Sequence, residues 1–245
     1  MRTAKLLLAA ALPIACIRIA GAGPPFLTDD PEPTDEGHWE IYAPTLDAAG
    51  KESEFEGALG AEFNYGAAPN VQVTVGAPIG YSHASGGINA GRGDLELSVK
   101  YRFFHDETHA VQVALFPGIT APTAAGGFGA RHVTALLPVW LQKDSGAWSL
   151  FGGGGFAINP GAGNRNYWTG GLALSRELSR NLLVGCEADR QGADTPEGRA
   201  TTSVGIGAIL RITSTVRFLA SAGPTLEDGR GATLFHLFLA VGLDY

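Results

Sequence analysis

Charged side chains recur at every second position in several stretches of this 245-residue chain. Alternate residues of a β-strand point to the same face, so these side chains would share one surface of a sheet. Acids and bases on such a surface can pair across neighbouring strands and line a polar conduit or a ligand cavity. The residues expected on it are Glu54, Glu56, Glu62, Asp94, Glu96, Lys100, Arg102, Glu187, Asp189 and Arg217.

Nucleophilic catalysis would need a different arrangement, in which a serine lies beside a histidine that an acid or amide orients. No stretch of the chain matches a catalytic motif of this kind, and serine and asparagine are ordinary turn residues. We therefore predict no catalytic residues and no enzyme, and keep an enzyme at the barrel rim as an alternative. Its candidate residues would be His83, His132 and His236, with Ser82, Ser85 and Asn89 nearby in sequence.

Metal or cofactor chemistry has little support in the sequence. Asp29, Asp30 and Glu32 are clustered acids that could attract a divalent cation, but the spacing of a calcium-binding loop is absent. We prefer the interpretation that these residues form an acidic segment that is either exposed to solvent or folded into the lumen of the protein. Cys186 is the only cysteine after residue 22, so neither an internal disulfide nor a cysteine-based zinc site is expected. We predict no metal and no cofactor.

The elements that must position the charged residues are strands. From Asp94 to Phe104, apolar and polar residues alternate along most of the run, and the chain ends in a similar run that closes on the aromatic Tyr245. Each run has about ten or more residues, roughly the length that a tilted strand needs to cross a bilayer. About twelve runs are predicted, near 38–48, 52–65, 70–82, 93–104, 109–121, 131–143, 147–157, 166–177, 181–191, 199–211, 215–225 and 232–245.

The connections between the runs fall into two alternating classes. Tight polar turns, such as 105–108, alternate with longer glycine-rich stretches that include Ala84 to Arg92 and Pro122 to Ala130. Short periplasmic turns and longer outer loops alternate in this way in up-and-down membrane barrels. An even strand number would then place both chain termini on the periplasmic side.

Composition and the N-terminus agree with a secreted β-protein. Residues 1–22 have a basic start, an apolar run and an Ala20-Gly21-Ala22 cleavage pattern, which predict a signal peptide. Its removal leaves 14 basic and 24 acidic residues, a charge of −10 that argues against nucleic acid as a partner. Residues 23–37 are acidic and proline-rich and predict an extended segment, and residues 38–245 predict the barrel.

The opening from Pro24 to Pro33, followed by Gly37-His38-Trp39-Glu40, resembles a bacterial outer-membrane family named after the meta-pathway of phenol degradation. Members of this family are secreted barrels described as transporters. The resemblance implies an outer-membrane location and passage or binding of small, often aromatic, compounds. It supplies no catalytic residues.

Together these patterns predict an all-β, transmembrane, antiparallel up-and-down β-barrel of about 12 strands in the outer membrane of a Gram-negative bacterium. The expected function is passive transport of small, hydrophobic or aromatic compounds. The alternative is a non-conducting structural or lipid-binding barrel, whose inward charges only fill its interior. Expected partners are outer-membrane lipid, a small solute and the barrel-assembly machinery, which would engage Tyr245.

Aromatic residues near the ends of the runs predict interface girdles around the barrel. Core packing in a soluble barrel, the rival fold, would scatter them more evenly. These residues are Trp39, Tyr42, Tyr81, Phe104, Trp140, Trp148, Trp168 and Tyr245.

Overall fold

The computed structural model describes residues 25–51, 54–84, 87–125 and 127–245, with the side chains of residues 232 and 233 left aside. The predicted signal peptide lies outside these residues. Among the residues described, no helix is long and apolar enough to cross a membrane. All regular structure in this part of the chain is β-strand.

The strands are numbered in chain order. Their bounds are β1 Trp39–Lys51, β2 Glu54–Ala68, β3 Val71–Ala84, β4 Gly87–Arg92, β5 Leu95–Asp106, β6 Val111–Leu115, β7 Gly118–Ala121, β8 Thr134–Ser145, β9 Trp148–Ile158, β10 Tyr167–Ser179, β11 Leu182–Gln191, β12 Thr201–Arg211, β13 Val216–Glu227 and β14 Gly231–Asp244.

The sheet is antiparallel and closed. Each wall strand pairs with its neighbours in the chain, and β1 also pairs with β14. Strands β4 and β5 share one wall position because both pair with β3, and β6 and β7 share another between β5 and β8. The fourteen strands therefore form twelve wall positions, which confirms the predicted barrel.

One predicted connection is wrong. The stretch from Ala84 to Arg92 was expected to be a glycine-rich outer loop, but Gly87–Arg92 is strand β4, paired with the end of β3. Backbone hydrogen bonds between these two segments outweigh the low strand propensity of their glycines. The wall strand is instead interrupted at Gly93 and Asp94, between β4 and β5.

The outer face of the barrel is apolar and the inner face is mainly polar. On β5, Leu97, Val99 and Tyr101 are 38–48% exposed, whereas Lys100 between them is 4% exposed. The same alternation continues around the wall. A soluble ligand-binding barrel has the opposite arrangement, so this pattern is that of a barrel whose outer face contacts lipid.

Two of the aromatic residues assigned to the interface girdles do not belong there. Tyr42 and Trp140 are about 95% buried and point into the barrel. Their large rings fill space inside the barrel next to small inward-facing residues. A Cβ at Gly153 would lie 3.0 Å from the Trp140 ring, for example. Trp39, Trp148 and Trp168 are exposed as a girdle requires.

The lipid contact of the outer face can be tested on β10. Leu172 is exposed at the middle of this strand and Leu178 at its end. We expect Leu172→Arg to lower the free energy of unfolding in lipid vesicles by about 2–4 kcal/mol and Leu178→Arg by about 0–1 kcal/mol. Urea titrations followed by tryptophan fluorescence would measure both. Equal losses for the two variants would contradict a membrane-embedded outer face.

Candidate functional site in the barrel lumen

The N-terminal segment, residues 25–37, runs through the inside of the barrel. Thr28 and Asp29 are 0–1% exposed. Thr28 contacts β11 through Glu187, whereas Asp29 contacts β5 through Lys100. These two strands lie on nearly opposite sides of the closed wall. A segment that reaches both must cross the lumen.

The carboxylate of Glu187 holds this segment by its backbone. Oε1 accepts a hydrogen bond from the Leu27 amide at 3.0 Å, and Oε2 accepts one from the Thr28 amide at 2.9 Å. Hydrogen bonds to an ionised carboxylate are stronger than those between neutral groups, and the bond from Thr28 is buried. Asp189, two residues further along β11, lies beside Gly171 and faces the same stretch of the segment. The wall therefore provides hydrogen-bond acceptors next to the backbone amides of the segment.

Glycines in the wall make room for the segment. The ring of Phe26 is 5% exposed, and a Cβ at Gly185 or Gly207 would approach it to 2.6 or 2.9 Å. A Cβ at Gly171 would collide with the hydroxyl of Thr28. Phe26 also contacts Phe151, with ring centroids 5.9 Å apart. The segment thus lies in a groove of β10–β12 that larger residues would fill.

On the opposite wall the segment is held by charge and by an amide. Lys100 Nζ lies 3.0 Å from Asp29 Oδ1 and 3.5 Å from Asp30 Oδ1. Burial raises the pKa of Asp29, and the ammonium group of Lys100 opposes that shift. Nearer the start of β1, the Gln72 side-chain oxygen accepts hydrogen bonds from the amide and hydroxyl of Thr34.

A cavity of about 470 Å³ opens below the segment, at the barrel end where β1 begins and β14 ends. Its wall is rich in carboxylates, including Glu40, Glu62 and Asp244. Arg217 Nη2 pairs with Glu40 and, at 2.7 Å, with Asp244, and so ties β13 to both strands of the β1–β14 seam. This end of the lumen is therefore acidic and accessible.

The other end of the lumen is narrowed by the connection between β7 and β8. The buried carboxylate of Asp94 accepts hydrogen bonds from the amides of Ala124 and Ala130, at 2.8 and 2.6 Å. Between these anchors, the ring of Phe128 packs on Gly80 and Gly91, where a Cβ would lie 2.6–3.0 Å away. The described residues of loop 122–130 therefore fold inward.

The N-terminal segment and loop 122–130, which both narrow the lumen, contact the same row of cross-strand neighbours on the inner face of the wall. Phe26 covers one end of the row and Phe128 the other. Most members of the row are small, which leaves space for rings that come from outside the wall. The row consists of Gly185, Gly207, Ser221, Phe238, Asp47, Ala58, Gly80 and Gly91.

The remaining residues of the predicted charged surface lie apart from the segment's contacts. Arg102 donates to Asn70 and Gln112, near the turn end of β5. Glu96 faces inward beside Gly76. Glu54 is exposed and Glu56 half-buried at the loop end of β2. The predicted surface is thus divided between the segment, loop 122–130, the acidic cavity and the loop end.

The alternative catalytic residues are not brought together. His83 stacks on Phe55 on the outer face, with ring centroids 4.9 Å apart. His236 is 7% exposed inside the barrel, and His132 lies in the β7–β8 connection beside Gly161. Among the described residues, no group of histidine, cysteine, aspartate or glutamate could hold a metal ion. Cys186 is exposed, on the outer face.

Sequence reasoning missed the residues that form the groove and the constriction. Phe26 and Phe128 carry no charge and lie outside the alternating runs, so strand periodicity gives no information about them. The signal that was available is glycine at inward positions of strands, such as Gly185 and Gly207, because an inward glycine marks a close approach.

Comparison with known proteins gives the fold. No protein-family model and no curated protein matches this sequence. The structure is similar to the COG4313 outer membrane channel from Pseudomonas putida F1, with a TM-score of 0.67 and 14% identity over 87% of this chain and 97% of that one. The match to outer membrane phospholipase A from Escherichia coli has a TM-score of 0.47 and 10% identity over 90% and 93% of the two chains.

At these identities the likeness shows a shared architecture only. The chain shares a closed antiparallel β-barrel fold with the Pseudomonas channel.

The anchoring of the segment by Glu187 can be tested directly. We expect Glu187→Ala to speed hydrogen exchange at the Leu27 and Thr28 amides by about 10- to 100-fold, because each loses a charge-assisted hydrogen bond. Glu177→Ala, which removes an exposed carboxylate of β10, is the matched control and should change neither amide. NMR of the refolded barrel would measure both. Unchanged protection of these amides in Glu187→Ala would contradict the anchoring of the segment by Glu187.

The inward fold of loop 122–130 depends on Asp94 in the same way. We expect Asp94→Ala to release the loop, because the Ala124 and Ala130 amides lose their acceptor. A spin label at Ala125 should then show faster motion than in the parent chain. Glu197→Gln, in the exposed β11–β12 connection, serves as control. A label equally immobile in Asp94→Ala would mean that other contacts hold the loop.

Proposed function

We propose that this chain is an outer-membrane barrel that lets small apolar or aromatic solutes pass, and that its N-terminal segment controls the passage. The supporting observation is the nature of the obstruction. A separate segment, held by Glu187, Lys100 and Gln72, fills the middle of the lumen in place of wall side chains. A segment of this kind can move without unfolding the wall.

Aromatic side chains inside the barrel favour this class of solute. Phe26, Phe151 and Trp140 give one side of the lumen apolar surfaces, and Phe116 lies 4.8 Å below the Lys100 ammonium. The likeness to a solved outer-membrane channel agrees with a conduit. The resemblance of the N-terminal sequence to the phenol-degradation family points to the same kind of compound.

The second candidate is a non-conducting structural or ligand-binding barrel. Its support is that both the segment and loop 122–130 reduce the open cross-section, since Phe26 and Phe128 each rest on wall glycines. A rim enzyme is less favoured because its candidate histidines are dispersed.

We also propose where in the cell this chain resides. An apolar outer face requires lipid, and the outer membrane of a Gram-negative bacterium is the membrane in which barrels of this class reside. Tyr245 exchanges backbone hydrogen bonds with Trp39 and leaves its ring 65% exposed. That exposed terminal aromatic is the feature we propose the barrel-assembly machinery recognises.

Single-channel conductance in a planar bilayer tests the transport proposal. We expect small, steady currents from the mature chain that small aromatic solutes reduce, and severalfold larger currents from Glu187→Ala because the segment is loosened. Glu177→Ala is again the control. A folded barrel that is silent both as the parent chain and as Glu187→Ala would favour the non-conducting alternative.

A further inference from the structure

The phenyl ring of Phe26 occupies a groove in the inner wall that has room for one aromatic ring. The ring is 5% exposed and packs with Phe151 and Ala173. It enters the groove by its far edge, because its Cζ and Cε1 atoms are the nearest to a Cβ at Gly185 and Gly207, at 2.6 and 2.9 Å. Glycine at these two positions therefore leaves a ring-sized space that opens toward the lumen.

A hydrogen-bond acceptor lies next to this groove. Glu187 follows Gly185 by two residues on β11, so both face the lumen and their Cα atoms are about 7 Å apart. The two oxygens of Glu187 accept separate hydrogen bonds from the Leu27 and Thr28 amides, at 3.0 and 2.9 Å. Two N–H donors on the two oxygens of one carboxylate form a bidentate contact. Groove and acceptor thus bind an aromatic ring and a pair of N–H donors as one unit.

The rest of the N-terminal segment is anchored elsewhere in the lumen. Asp29 lies 3.0 Å from Lys100 on β5, and the Thr34 amide donates to the Gln72 side chain on β3 at 2.7 Å. These anchors are separate from the groove of β10–β12. Release of residues 26–28 from the wall therefore leaves both anchors in place, and the groove can open while the segment stays inside the barrel.

The wall of the groove defines the chemistry of any solute that replaces the chain there. Its surfaces are apolar and come from Phe151, Ala173 and Leu183. An ionised Glu187 accepts hydrogen bonds and donates none, so the solute must supply the donors. A ring without donors would leave the carboxylate buried and unpaired, which is costly.

We propose that the Phe26 groove is a binding site for neutral aromatic solutes that carry a pair of N–H donors next to the ring. Such a solute displaces Phe26, Leu27 and Thr28, which act as a competitor built into the chain. A competitor on a short flexible tether has an effective concentration on the order of millimolar, so the solute opens the groove at comparable levels. The inference rests on the proposed function, in which the segment controls passage.

Phenylurea and phenyl acetate are a probe pair of similar size, both neutral, of which only phenylurea has N–H donors. The full mature chain in lipid nanodiscs would be titrated with each, and amide hydrogen exchange would be followed by NMR. We expect saturating phenylurea to speed exchange at Leu27 and Thr28 about 10- to 100-fold, because both amides lose Glu187. The Thr34 amide, which Gln72 holds, should stay protected. Phenyl acetate should bind at least tenfold more weakly.

Variants separate the groove from general partitioning into lipid. Phe26→Ala removes the competing ring and should raise phenylurea affinity at least tenfold. Glu187→Gln replaces one acceptor oxygen by a donor and should lower phenylurea affinity to that of phenyl acetate. Phe103→Ala removes a ring of β5 that is 50% exposed and should change neither titration. Tryptophan fluorescence during urea unfolding would verify the fold, and Phe26→Leu would replace Phe26→Ala if that variant fails to fold.

Three results would overturn the site. These are equal affinity of the parent chain for the two probes, phenylurea binding that leaves Leu27 and Thr28 protected, and equal phenylurea affinity of Phe26→Ala and the parent chain. Phenylurea flux into liposomes, measured separately, tests the proposed function. Flux without faster exchange at Leu27 and Thr28 would refute the site and leave transport standing. Faster exchange at these amides without flux would refute transport and leave the site standing.

Discussion

Closure of the sheet on itself is the constraint on which the rest of this structure depends. Once β1 pairs with β14, no strand edge is left at that seam, and every second side chain must point into an enclosed space. A twelve-strand wall encloses more space than side chains such as Ala58, Gly185 and Gly207 can fill. The chain fills part of it with its own N-terminal segment and with loop 122–130.

The partners of the polar groups on the inner wall follow from the way in which the chain fills its own lumen. Glu187 and Lys100 would be costly if buried alone, and the segment supplies partners to both: backbone amides to the acid and Asp29 to the base. Asp94 is satisfied in the same way by the amides of loop 122–130.

Much of the wall could be predicted from the sequence, because strand periodicity is a local property. The alternation of Leu97 and Val99 with Lys100 fixes both the strand and its two faces without any knowledge of neighbours. Strand β4 was missed because its glycines and asparagine resemble a loop, and only pairing with β3 makes it regular. The position of the segment in the lumen could not be predicted, because it depends on contacts between residues far apart in sequence. Thr28 and Glu187, for example, are 159 residues apart. Inward-facing glycines became informative only when the strand register was known.

The position of residues 25–37 inside the barrel, with the Phe26 ring in the groove of β11 and β12, is open to a direct test. Replacing Phe26 by the photoreactive p-benzoylphenylalanine in the full chain, in outer-membrane vesicles, tests it most directly. Irradiation followed by mass spectrometry should identify crosslinks to the wall around Gly185 and Gly207. Crosslinks only to other proteins, or to the outer rim of the barrel, would contradict the account.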